Sequence, residues 1–177
     1  RRSRKPDFPR QPARRTVIRH TVFWLCLLLV VPAQAAAIRL VDDAGQTLEF
    51  PRPPQRIISL TPHLTELLFA VGAGPQLVGV DSASDYPEAA RTLPRIGDYS
   101  RINFERILAL KPDLVVVWAG GNRAADIHGL KKMGLTVLHT QATRLDDVAR
   151  LLRLVGQASG HAAAGETAAR DVSARLA

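Results

Sequence analysis

A chain of 177 residues with 46% apolar side chains is material for one or two small domains, and its formal charge of +8 invites a nucleic-acid reading. The distribution of charge removes that reading. The first 20 residues hold eight of the 24 basic side chains against one acid, Asp7, so they carry +7, while the remaining 16 basic and 15 acidic groups carry only +1. A phosphate-binding surface needs its positive charge clustered on the folded domain, and no nucleic-acid partner is expected.

The basic start runs into an apolar stretch, Val22 to Val31, and then into Pro32-Ala33-Gln34-Ala35. About ten apolar residues are too few to cross a hydrocarbon core as a helix. A basic region, a short apolar run and an A-x-A site make residues 1–35 an export signal, cut after Ala35 or Ala37. Cys26 leaves with it, so the mature chain is expected in the periplasm with no thiol and no disulfide framework. The 142 residues that follow suffice for a core, since a domain near that size buries roughly 68–70% of its unfolded surface.

Residues 36–55 read as an approach segment. In it Ile38 to Val41 and Thr47 to Phe50 form a hairpin across Asp42-Asp43-Ala44-Gly45, and Pro51-Arg52-Pro53-Pro54 breaks any sheet. From Arg56 the pattern changes. Ile57 to Leu60 is a short buried strand. Thr61, with a hydroxyl to cap, and Pro62 start a helix whose Leu64, Leu67, Leu68 and Val71 share one face until Gly72 and Gly74. Leu77 to Val80 is the next strand, and Pro87 to Leu93 a short helix. Asn103 caps a helix through Leu110, stopped by Lys111-Pro112-Asp113.

Leu114 to Trp118 is a continuous, largely β-branched run, as a strand buried on both faces requires. Gly120-Gly121-Asn122 turns into a helix ending near Gly134, and Thr136 to Leu138 is another strand. Thr143 with Asp146 resembles a capping box for an amphipathic helix that ends at Gly156. Residues 56–160 therefore read as an α/β lobe, and the Ala-rich residues 161–177 as one further helix. Strands separated by helices of about ten residues predict a parallel sheet flanked by helices, with any ligand beyond the carboxyl ends of the strands.

Catalytic chemistry has little support. There is no G-x-S-x-G, no mature Cys and no Walker-type Gly-Lys-Ser/Thr, so the protein is expected not to be an enzyme and to carry no cofactor. His63, His128, His139 and His161 are scattered without an H-x-x-x-H pair. They read as ordinary solvated or singly bonded histidines, with a zinc-binding enzyme or metallochaperone lobe built on His63 and His139 as the alternative. Aromatic residues are more informative. Tyr86 and Tyr99 lie in loops and Trp118 ends the buried strand, where aromatic faces suit a flat, bulky ligand; on the residues alone, Trp118 reads slightly better as a core residue capping the sheet.

Four stretches, "RIISLTPHLTELLFAVGAGPQLVG" from Arg56, "SDYPEAA" from Ser84, "INFERILALKPDLVVVW" from Ile102 and "GGN" from Gly120, occur in order with no large gap between them. Through them the chain resembles the solute-binding proteins of ABC importers for cobalamin, ferric siderophores and haem, which have two α/β lobes joined by one long rigid helix. The pairing of "SDYP" with "NFERILALKPDLVVVW-GGN" is most similar to the members that bind cobalamin. The resemblance implies the N-terminal lobe of a helical-backbone periplasmic binding protein, working by enclosure as a monomer and delivering cobalamin or a related corrinoid to a membrane permease. A ferric siderophore or haem on the same scaffold is the alternative.

Carried over position by position, the resemblance makes Tyr99 and Trp118 ligand contacts, with Tyr86 as a further candidate. Ala83 stands where cobalamin-binding members have a contacting Tyr, a departure that removes one stacking face. Glu105 matches a glutamate that docks the lobe on permease arginines, although a carboxylate in a first helical turn is ordinarily explained by the helix dipole. Residues 161–177 would begin the interlobe helix, and the second lobe lies outside this sequence, as in a truncated chain.

Overall fold

The computed structural model describes residues 37–176; the expected export signal, with Cys26, lies outside them. In chain order the elements are β1 (Ile38–Val41), β2 (Thr47–Phe50), β3 (Ile57–Ser59), α1 (Pro62–Ala70), β4 (Leu77–Val80), α2 (Phe104–Ala109), β5 (Leu114–Trp118), α3 (Ala124–Lys132), β6 (Val137–Thr140), α4 (Asp147–Ser159) and α5 (Ala162–Leu176), with short 3₁₀ turns at Gly74–Gln76 and Glu88–Thr92. Strands β1 and β2 pair antiparallel, and the other four form a parallel sheet in the order β4-β3-β5-β6.

Alternation along the strands explains why helices cover both faces. Ile57, Leu114 and Val116 pack on one side with Leu64 and Leu68 of α1 and Leu152 and Val155 of α4. Ile58, Val115 and Val117 point to the other, against Ile107 of α2 and Leu130 of α3. Each such side chain is almost wholly buried, worth roughly 1.5–3 kcal/mol apiece in removal from water. The continuous apolar run of β5 is thus the mark of a strand with two dry faces. The hairpin joins the first of these cores through Leu40, Leu48 and Phe50, so residues 38–50 of the approach segment pack as part of the lobe.

Of four helix ends read from the sequence, one forms as expected and three are rearranged. Asn103 does cap α2, its Oδ1 accepting from the Arg106 N–H at 2.9 Å. Thr61, by contrast, makes no side-chain cap on α1, and its buried Oγ1 has no partner. The Thr143/Asp146 box is replaced by a reversed one: the Asp147 carboxylate, in the first turn of α4, reaches back to accept from the N–H groups of Thr143 and Arg144 at 2.8 and 2.9 Å. Helix α4 also does not end at Gly156. It runs to Ser159, and Gly160, at φ +84°, supplies the left-handed residue that closes it. Gly156 serves packing instead: a Cβ there would lie 2.8 Å from Gly165 Cα, where α5 crosses α4.

Candidate functional site

The carboxyl ends of β3, β4 and β5 open onto a concavity of about 430 Å³. Its walls come from the residues just past those ends, among them Thr61 and His63 after β3, Asp81 after β4, and Trp118 and Asn122 at the end of β5. Asn122 ties two of the strand ends together. Its Oδ1 accepts from the Trp118 N–H at 2.8 Å and its Nδ2 donates to the Leu60 carbonyl at 3.1 Å. The indole of Trp118 then lies over the Gly120-Gly121 turn, where a Cβ on Gly121 would come within 2.2 Å of the ring. Bare backbone is what lets the ring lie there.

His63 meets Trp118 edge to face, the ring centroids 5.2 Å apart and the planes at 88°. Burial pushes the His63 imidazole below its usual pKa, so it is neutral at pH 7. Its Nε2, the Trp118 Nε1 and the Thr61 Oγ1 are all buried without a hydrogen-bond partner. Tyr99, 80% exposed, completes the aromatic lining of the same concavity. Tyr86, 70% exposed, is not among its walls.

Two carboxylates share the concavity. Burial and the charge of Asp98 push the Asp81 carboxyl above its ordinary range, despite N–H groups of Ala83 and Ser82 and the charge of Arg95 acting the other way. Asp98 is held below that range by the hydroxyl and N–H of Ser100 and the N–H of Arg101. Neither acid was singled out from the sequence, although both lie in loops that follow strand β4. The signal available was position alone, just past strand ends.

Glu105 is exposed in the first turn of α2 and lines a separate polar concavity of about 620 Å³ with Arg101, Asn103, Arg123 and Asp126. His139 is turned away from the aromatic concavity: its Nδ1 lies 2.7 Å from Asp42 Oδ2, buried beneath the hairpin. The alternative pairing of His63 with His139 is therefore not formed, because the hairpin supplies His139 with its own carboxylate. Among the described residues no cluster of three or more His, Cys, Asp or Glu is placed to hold a metal ion.

A parallel sheet covered on both faces has known counterparts. The model of the family described as periplasmic binding protein matches residues 57–177. The chain belongs to that family. The vitamin B12-binding protein of Vibrio cholerae serotype O1 is 40% identical over 126 residues, which are 71% of this chain and 46% of the relative. That of Pectobacterium atrosepticum is 41% identical over 123 residues, 70% of this chain and 44% of the relative. Among solved structures, the periplasmic vitamin B12 binding protein of Vibrio cholerae superposes with a TM-score of 0.67 at 40% identity, covering 70% of this chain and 49% of that one. A periplasmic heme binding protein from Pseudomonas aeruginosa gives 0.65 at 30% identity, covering 70% and 44%. The chain spans about half the length of the relatives it matches.

Proposed function

We propose that this periplasmic binding protein is the solute-capturing component of an ABC importer, taking up cobalamin or a related corrinoid outside the inner membrane and handing it to the permease. The observation that carries the reading is the meeting of Tyr99 and Trp118, 19 positions apart, in one concavity at the carboxyl edge of the sheet. Ring faces there bury a broad flat ligand at little cost in rotamer entropy. The names of the B12-binding relatives favour a corrin as that ligand.

In this reading the protein makes and breaks no bond, and needs no cofactor of its own. Capture is by enclosure, with this lobe supplying one wall and a second lobe beyond α5 the other. Glu105, on its own polar face, docks the loaded protein on the permease. Export by the basic, apolar start delivers the chain to the periplasm. Haem is the second reading, favoured by the 30% identity to the Pseudomonas aeruginosa protein and by Ala83 in place of a third ring.

Calorimetric titration of the full-length protein with cyanocobalamin tests the assignment. Tyr99→Ala and Trp118→Ala are each expected to weaken binding by roughly tenfold or more, equivalent to about 1.4 kcal/mol of lost contact, while circular dichroism stays that of the folded lobe. Unchanged affinity in both variants would reject the reading.

A further inference from the structure

The aromatic concavity contains two carboxylates and, among the described residues, no Arg or Lys in its walls. Asp81, 4% exposed, has Oδ1 hydrogen-bonded to the Ala83 N–H at 2.8 Å. Asp98 turns Oδ1 to Ser100 and Arg101. Neither is among the ion pairs of the described residues. Arg95, whose charge reaches Asp81, directs its Nη1 to the main-chain carbonyls of Asp81 and Ser84 at 3.1 and 2.6 Å. Thr61, more than nine-tenths buried in the same wall, has an unpartnered hydroxyl, and a buried polar group without a partner marks a place where an incoming group can supply one.

We propose that Asp81 and Asp98 form a charge filter on this lobe, admitting a cargo whose edge bears amides and rejecting one whose edge bears carboxylates. The inference rests on the ligand reading above and sharpens it. A corrin rim carries amide N–H donors that a carboxylate accepts, with the Thr61 hydroxyl available to the amide carbonyl. Haem carries propionates, and acidic siderophores carry several negative groups; either would set like charges together in a partly desolvated site, a repulsion that discriminates by exclusion.

The test uses the full-length protein, cyanocobalamin, and the isomeric monocarboxylic acids made by hydrolysing one rim amide. Titration calorimetry is expected to show at least one acid isomer binding roughly tenfold or more weaker than the parent compound, and that ratio falling below about threefold in the Asp81→Asn/Asp98→Asn protein. Since Asp81 is buried, Asp98→Asn alone and the salt dependence of the unaltered protein provide a second reading. Both should shrink the ratio, salt by screening. Cobalamin binding with a ratio indifferent to Asp98→Asn and to salt overturns the filter and leaves the corrinoid reading standing. Tight binding of haem by the unaltered protein, or no binding of cobalamin at all, overturns both.

Discussion

Trp118 is held by what its neighbours lack. The two glycines that follow it leave room for the indole, and neither has a positive φ, so an alanine there is opposed by contact and not by backbone strain. Gly121→Ala is expected to push the ring out of place and to cost about 1–3 kcal/mol of stability, the usual range for overpacking. Trp118 is the only tryptophan among residues 37–177, and the difference in tryptophan emission between Gly121→Ala and the unaltered protein reports its displacement; no difference with full stability would show that the turn yields instead. The Nε1 of the indole and the Nε2 of His63 are both buried without a partner in this corner. On the residues alone Trp118 reads slightly better as a core residue, and the family resemblance makes it a ligand contact. The structure makes it half-buried, one side on glycine backbone and the other on the concavity.

At the scale of elements, two consecutive aspartates clamp the hairpin to the sheet. Asp42 accepts from the N–H groups of Ala44, Gln46 and His139, and its Oδ2 lies 2.7 Å from the His139 ring. Asp43 accepts from the Gln141 N–H at 2.6 Å and pairs with Arg150 of α4. Burial alone would raise the Asp42 carboxyl, but these hydrogen bonds and the nearby His139 outweigh it and hold the group below its ordinary value. A carboxyl lowered on folding contributes stability that is complete above about pH 4, the unfolded value, and lost as pH falls through the lower folded one. Urea unfolding of Asp42→Asn is expected to show a loss of about 1.5–3 kcal/mol at pH 7, the range for charged hydrogen bonds, and a smaller gap from the unaltered protein below pH 3–4. A gap that stays constant with pH would remove the charge from the explanation. The hairpin itself was legible in the sequence; its clamp was not, because Asp42 and His139 are 97 positions apart.

For the whole molecule, the separation of two concavities matters most. The aromatic one collects the strand ends, while Glu105 occupies the polar one beside α2. On the proposed reading, cargo capture and permease docking can therefore be uncoupled. Glu105→Arg in the full-length protein is expected to keep cobalamin affinity within about twofold while cutting uptake by cells roughly tenfold or more, the effect of losing and reversing one charge pair at an interface. Normal uptake by that variant would remove Glu105 from the docking role.

Sequence by itself determined the local elements and the fold class, because a strand with two dry faces and a helix with one apolar side write their periods directly into the chain. It also placed Trp118 at the carboxyl edge of the sheet, since a parallel α/β sheet brings its strand ends to one side, whereas Tyr99 was tied to that edge only through the family resemblance. Tertiary structure alone decided the strand order β4-β3-β5-β6, the bridge from Asn122 to Leu60, the turning of His139 to Asp42 and the placing of Asp81 and Asp98 in one wall. Those contacts join residues from 17 to 97 positions apart, and nothing in a local pattern specifies which distant hydrogen-bonding group a buried polar side chain will find.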